Sequence, residues 1–417
     1  MRTSFTPTRA AVAAVGLAIA SSAHAQSSVT LYGVADIGIN YSSNTQTSVG
    51  ANGVPVGHSQ TFIADGLNAG KMGSRWGILG KEDLSAGLQA VFNLENGFSM
   101  ANGTFAQGGA EFGRQAWVGL KSDTLGMLSA GRQYEFTTEY VGVLSAVTTF
   151  GGEFSTHPGN ADGLLNIRRV NNALKYQSPD FHGISFGTLV GLGGVPGSIS
   201  QNSVFGGGLR YNAGGFAAAV SYLNARNPNI SAYGINPNAG GVTSNNLGSA
   251  GSATSAQSAP IIAGFASANT LEEIAVGGTY KFANEQVGAV FTRTAFKGLG
   301  NTSQSGPNPL HLQGSANVSN AEVSFKHNFT PTLSAAAAYD YAWVSSVGNL
   351  GTSHYHQVSA GSDYALSKRT DLYVLAAWEQ ANGTNSLGKP AVAQIGFMSP
   401  SATNHQVALT AGIAHRF

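Results

Sequence analysis

The sequence predicts an all-β protein, a 16-stranded antiparallel transmembrane β-barrel, and three observations carry that prediction. First, apolar and polar residues alternate with period 2 over segments of about 9–13 residues, the length of a tilted strand crossing hydrocarbon and longer than the usual 5–6 of a soluble strand. Second, charged residues make up 10% of the chain, where roughly 25% is ordinary, while glycine numbers 56 and cysteine is absent. No stretch beyond the N-terminal region approaches the ~18 uninterrupted apolar residues of a membrane helix. Third, the gaps between segments alternate between short and long, as an even-stranded barrel with both termini on one side requires.

The chain opens with Arg2 and Arg9, an apolar run from Ala10 to Ala20, and Ala23-His24-Ala25. That order of charge, short apolar core and small-residue site reads as a secretory signal peptide over residues 1–25. Cleavage there takes Lys+Arg from 21 to 19 against 20 Asp+Glu, a near-neutral balance that argues against a nucleic-acid partner. One barrel domain is expected over residues 26–417, because the strand pattern resumes after every long gap. Without cysteine, no disulfide framework holds the exported chain.

Strand segments are expected to begin near Ser28, Lys71, Gly87, Gly113, Leu125, Arg169, Gly183, Val204, Gly215, Leu271, Glu285, Ala316, Thr332, Tyr355, Lys368 and His405. In the last, Val407, Leu409, Ala411 and Ile413 share one face and Gln406 and Thr410 the other. In the first, Val29, Leu31, Ala35, Ile37 and Ile39 alternate with Thr30, Asp36 and Asn40. Tight turns fall at Ser85-Ala86, Ala283-Asn284 and Thr330-Pro331, among others, and long loops at 43–70, 99–112, 134–168 and 225–270, among others. Tyr339, Tyr341 and Trp343, and Trp378 after Leu372, Val374 and Ala376, stand at strand ends as an interfacial aromatic girdle would. Simple β-propensity also places aromatics in strands.

Alternation also sorts the charges. Arg75 and Lys81 oppose Trp76 and Ile78, and Arg169 and Lys175 oppose Leu174 and Tyr176. A cation on the lipid face at mid-depth costs about 2–4 kcal/mol, so these four belong to a lumen. Parity leaves Arg132 unplaced, because Leu128 and Ala130 share its face. Motifs for chemistry are missing: Gly80-Lys81 and Gly388-Lys389 lack the rest of a phosphate loop, and Pro196 stands where a dinucleotide fingerprint needs its third glycine. His354 and His356 could begin a metal site, but no third ligand lies nearby, and solvated histidines at a loop edge explain them better. No metal or cofactor is expected.

Val29-Thr30-Leu31-Tyr32-Gly33, Ser74-Arg75-Trp76-Gly77, Gly80-Lys81-Glu82-Asp83-Leu84, Gly113–Leu120, Gly131-Arg132-Gln133-Tyr134, Arg169–Tyr176 and the terminal Phe417 recur in this order along the chain. In these stretches the sequence resembles the Gram-negative general porins, most closely their beta-proteobacterial type, over its whole length beyond the leader. The resemblance implies a barrel in the outer membrane with short periplasmic turns, long extracellular loops and a third loop, 134–168, folded inward to narrow the pore. It implies a homotrimer, contact with outer-membrane lipid and lipopolysaccharide, and delivery by the barrel assembly machinery, which would read Phe417. Across the constriction it implies a basic wall of Arg75, Arg132 and Arg169, with Lys81, Arg114, Arg168 and Lys175 beside them. The facing acids would be Glu139 and Glu153, then Glu135 and Asp162. The Pro-Glu-Phe-Gly turn of some members is replaced by Thr149-Phe150-Gly151-Gly152-Glu153-Phe154.

The function expected is passive diffusion of ions and small hydrophilic solutes through a water-filled channel, with no bond made or broken. The alternative is a substrate-specific channel on the same barrel, for which Tyr32 and Tyr373 could begin an aromatic track. A barrel enzyme would need a Ser/His or Asp/His constellation at the rim, and the histidines are scattered. An adhesin role would rest on the 225–270 loop.

Overall fold

The computed structural model describes residues 27–417, apart from 52–53, 68, 166–167, 234–244 and 248–258. The expected leader therefore lies outside the described residues. Strand segments run β1 (Ser28–Val49), β2 (Pro55–Ala64), β3 (Arg75–Ser85), β4 (Leu88–Gly97), β5 (Gln115–Ser122), β6 (Gly126–Tyr134), β7 (Arg169–Gln177), β8 (Ile184–Gly191) and β9 (Val204–Ala213). They continue as β10 (Phe216–Arg226), β11 (Thr270–Phe282), β12 (Glu285–Leu299), β13 (Gly314–Asn328), β14 (Leu333–Val344), β15 (Ser353–Ala365), β16 (Thr370–Gly383) and β17 (His405–Arg416). Neighbours pair antiparallel throughout. β17 returns to β1, from Val34 opposite Arg416 to Ser42 opposite Ala408, so the sheet closes into a barrel.

These seventeen segments form sixteen wall strands, because β2 and β3 are two pieces of one. The lower part of β1 pairs with β3 (Val34 opposite Arg75) and the upper part with β2 (Gly38 opposite Ala64). Between them residues 65–74 leave the wall and enter the lumen, where Asp65, Ala69 and Ser74 are fully buried. The sequence reading placed 55–64 in a loop, and here it is strand. The reason is height: β1 is 22 residues long, about twice what crosses hydrocarbon. Its far end, from Ser42 on, and the part of β2 that faces it, His58–Gln60, carry no apolar outer row, so the period-2 signal fades there.

Alternation makes the outer surface apolar. Val29, Leu31, Ile39, Val118, Phe205, Val276, Phe291, Val323, Val374 and Leu409 are all exposed. Tight turns join strands at one end. At Gly214, φ +57 supplies the left-handed conformation that the two-residue link between Ala213 and Phe216 needs.

Much of the lumen is packed. Residues 135–168, the loop after β6, run round the inside of the wall. Phe136, Tyr140, Val141 and Leu144 pack with Leu189, Leu223, Ala275 and Val290. Further along, Phe150 meets Ala336 and Ala338, and Phe154 joins Tyr373, Leu375 and Ala377. From the other end, Tyr233, Ile261, Ile262 and Phe265 of the loop after β10 join the first cluster.

Candidate functional site

The open passage lies where the 65–74 excursion meets the inward loop. Glu153 N–H donates to the Gly70 carbonyl (3.1 Å), and the chains approach so closely that a Cβ on Gly152 would sit 2.4 Å from the Lys71 carbonyl oxygen. A cavity of ≈190 Å³ lies beside this contact. Lys71, Arg75, Arg114 and Arg169 line it from the wall side, and Val147, Thr148, Phe150 and Glu153 from the loop. A second cavity of ≈350 Å³ shares Lys71, Met72 and Thr148 with the first and reaches the tight-turn end past Lys326, Asp363, Asp371 and Arg416. The two cavities adjoin at these shared residues inside the lumen.

Charge on this path is unbalanced. Glu95 on β4 accepts from Arg114 Nε at 2.6 Å and from Tyr32 at 2.9 Å, and lies 3.8 Å from Arg75 Nε. Arg169 stacks over the Tyr134 ring (5.1 Å to its centre) and donates to its hydroxyl at 3.2 Å. Two guanidinium groups thus share one carboxylate, with Arg169 beside them on the Tyr134 ring. Across from them, burial first and then the nearby Asp65 raise the Glu153 carboxyl well above the ordinary carboxylate range, which holds it toward its uncharged form. The field across the gap therefore comes from the basic wall.

The other residues singled out in the sequence occupy different surroundings. Asp162 accepts from His157 Nδ1 and Thr292 (both 2.7 Å) and from Asn320 (3.2 Å). The far nitrogen of His157 reaches Glu322 at 3.2 Å and Asp340 at 3.6 Å. Burial disfavours the imidazolium, yet Asp340 and Asp162 outweigh it and raise the His157 pKa well above its usual value. Arg168 is buried in a salt bridge with Glu273 and lies over the Tyr233 ring. Glu135 caps the start of the inward loop, accepting from the Thr137 and Thr138 amides (2.5 and 3.1 Å). Lys175 bonds Glu139 (2.5 Å) and the Tyr134 carbonyl (2.9 Å). These groups fasten the loop to the wall, and none of them lines the two cavities described above.

Lys81 is half exposed near the β3–β4 turn, with Asp83 3.9 Å away. Arg132 sits opposite Ala116, in the outward row of Leu128 and Ala130, at a register shift between Gly131 and Gln133. Its guanidinium donates to the Gly113 carbonyl (2.9 Å) and to Asn171 (2.5 Å). Phe417 pairs with Gly33 through both backbone bonds (3.0 and 3.1 Å) at the closing seam. A Cβ on Gly33 would lie 2.3 Å from the Phe417 ring. His354 and His356 each bond a tyrosine hydroxyl, Tyr341 at 2.7 Å and Tyr339 at 2.8 Å, within the outward aromatic group.

Sequence reasoning missed Lys71, which lines both cavities, and Glu95, the buried acid that holds Arg114 beside Arg75. Lys71 was read as the start of a strand, yet it lies on the excursion and forms ion pairs with Asp363 and, at 4.0 Å, Asp371. Glu95 carried a usable signal, since it alternates with the apolar Leu94 and Phe92 on β4. Tyr32 and Tyr373 both point inward, but each is engaged with an acid: Tyr32 with Glu95 and Tyr373 with Asp36 at 2.6 Å.

The model of the Gram-negative porin family matches residues 10–384. An outer membrane porin protein of Bordetella pertussis is 41% identical over 180 residues, 42% of this chain and 45% of that relative, so the match spans less than half of its length. A major outer membrane protein P.IB of Neisseria meningitidis serogroup B is 26% identical over 374 residues, covering 87% of this chain and 91% of the relative. Among solved structures, an anion-selective porin from Comamonas acidovorans superposes with a TM-score of 0.65 at 21% identity, over 94% of this chain and 100% of that one. With its closed sixteen-stranded wall, apolar outer surface and lumenal path, the chain belongs to the Gram-negative porin family and is an outer-membrane channel for passive diffusion.

Proposed function

We propose that this porin is a general diffusion channel for ions and small hydrophilic solutes, narrowed between Arg75, Arg114 and Arg169 and the inward loop at Glu153, and biased toward anions. The observation that carries this reading is the lining of the narrow path, where Arg75 and Arg114 share Glu95 and Arg169 and Lys71 stand beside them. Fixed charge of one sign in a narrow, low-dielectric passage concentrates counter-ions there. No bond-making step belongs to this function. The working form is a homotrimer embedded in outer-membrane lipid and lipopolysaccharide, assembled by the barrel machinery through Phe417. The test is single-channel recording in a planar bilayer under a salt gradient. A reversal potential on the anion side, with closures in thirds, is the expected result. Cation preference overturns the anion bias, and closures in a single step overturn the trimer.

A further inference from the structure

Between Glu135 and Ile167 the inward loop contains neither Lys nor Arg, so His157 is its one side chain able to carry positive charge. Apolar anchors flank it: Phe150 and Phe154 before it and Leu164 after it pack against the wall. The imidazole itself is buried and bridges the loop to two strands. Its Nδ1 meets Asp162 of the same loop, and its Nε2 meets Glu322 on β13 and Asp340 on β14.

Three carboxylates thus surround one imidazole, and other donors serve them unequally. Asp162 also accepts from Thr292 and Asn320, and Glu322 from the Ala146 amide at 2.9 Å. Neither oxygen of Asp340 has a hydrogen-bond donor among the described residues, so the imidazolium is the cation that offsets it. From β12 and β15 the neighbours Thr292 and Gln357 are neutral. Charges farther out do not replace the imidazolium. Arg168 is taken up by Glu273 of β11, Glu379 of β16 accepts the Gln394 amide at 2.8 Å, and Glu135 caps the start of the loop. A neutral His157 would leave three carboxylates enclosed together with no cation between them, and like charges repel strongly where water is excluded.

We propose that His157, in its protonated form, is the positioning residue that holds the inward loop against β13 and β14, and that losing this proton frees the loop. His157 lines neither cavity and acts on the passage through the loop. The inference rests on the reading of residues 135–168 as the segment that narrows the channel. Because the folded protein holds this proton more tightly than the unfolded chain, the anchorage is complete below the unfolded value of about 6.5 and is lost as pH rises through the folded one. Once freed, the loop no longer keeps one position, and the current through the open channel steps between levels.

The experiment is single-channel recording of the purified, folded porin in a planar bilayer, stepped from about pH 6 to about pH 9.5, below the ordinary range of lysine and tyrosine. Wild type should hold one steady level at the acid end and gain steps between levels toward the alkaline end. H157Q lacks the cation throughout and should step at every pH. H157K should stay steady across the range, because an ammonium keeps its charge there; a purely structural loss would not be rescued in this way. D340N takes away a carboxylate that favours the imidazolium, so its steps should set in at lower pH than in wild type, by about 1 unit or more. That variant tests the proposal even where the His157 variants do not fold. A wild type that is steady at every pH, an H157K that steps like H157Q, or an onset unmoved by D340N overturns it. The reversal potential at the acid end reads the basic wall instead. A failed anion bias with the pH-dependent steps intact therefore strikes the charge of the constriction and supports the role of His157.

Discussion

Two sides of the lumen use the same residue types for opposite ends. On one, Arg75, Arg114 and Arg169 line a cavity, with Glu95 as the acid that Arg75 and Arg114 share. On the other, His157, Asp162, Glu322 and Asp340, and the Arg168–Glu273 pair, are buried between the inward loop and the wall. The difference is the cavity. Arg75 is partly exposed to it, and Arg114 and Arg169, themselves largely buried, border it and project their charge across it. A buried ion pair has lost its hydration and is held by its partners, so removing one leaves an uncompensated charge. The basic side thus governs what passes, while the buried side governs where the loop sits.

The largest effect should come from breaking a buried pair. Glu273→Leu leaves Arg168 enclosed without its carboxylate and should cost about 3–5 kcal/mol, measured by denaturant unfolding. It should also release the inward loop and raise single-channel conductance. An unfolding midpoint equal to wild type would place this pair with the exposed ones and erase the contrast. Next, the double variant R75Q/R169Q should fold normally but lower the anion-to-cation permeability ratio severalfold, read from the reversal potential. An unchanged ratio would mean that the wall charges only solvate the lumen.

A third effect is pH-dependent. The folded-state carboxyl of Glu153 titrates well above its unfolded value, so the native state holds its proton longer. Stability from this group is fully present below the unfolded value of about 4.3 and falls as pH rises through the folded one. Glu153→Gln should remove that slope, gaining stability relative to wild type at neutral pH and converging with it near pH 4. Parallel curves for the two proteins across that window would refute the assignment. Smallest of all, Lys81→Gln at the exposed tight-turn end should change stability by no more than about 0.5 kcal/mol and leave the reversal potential in place. A clear shift in selectivity would extend the basic wall to the periplasmic mouth.

Legibility followed the lipid. Strands whose outer face must be apolar announced themselves: β1, β7, β9, β12 and β17 begin at Ser28, Arg169, Val204, Glu285 and His405, where the alternation begins. β2 did not, because its His58-Ser59-Gln60-Thr61 stretch carries no period-2 contrast. In the lumen the same logic gave Arg75, Arg169 and Lys175 their inward direction. It could not separate Arg169, beside the cavity, from Lys175, tied to Glu139, because both obey the same parity.

By itself, then, the sequence determined the closed antiparallel wall, its strand count, its outward surface and the lumenal side of most cations. All of these follow from one local rule, that a strand in lipid shows hydrocarbon on alternate residues. Only the tertiary structure decided which lumenal charges line the cavity. That depends on where residues 65–74 and the 135–168 loop come to rest, and their course is set by packing against Phe136, Phe150 and Phe154 and by buried ion pairs between residues more than a hundred positions apart, such as Arg168 and Glu273.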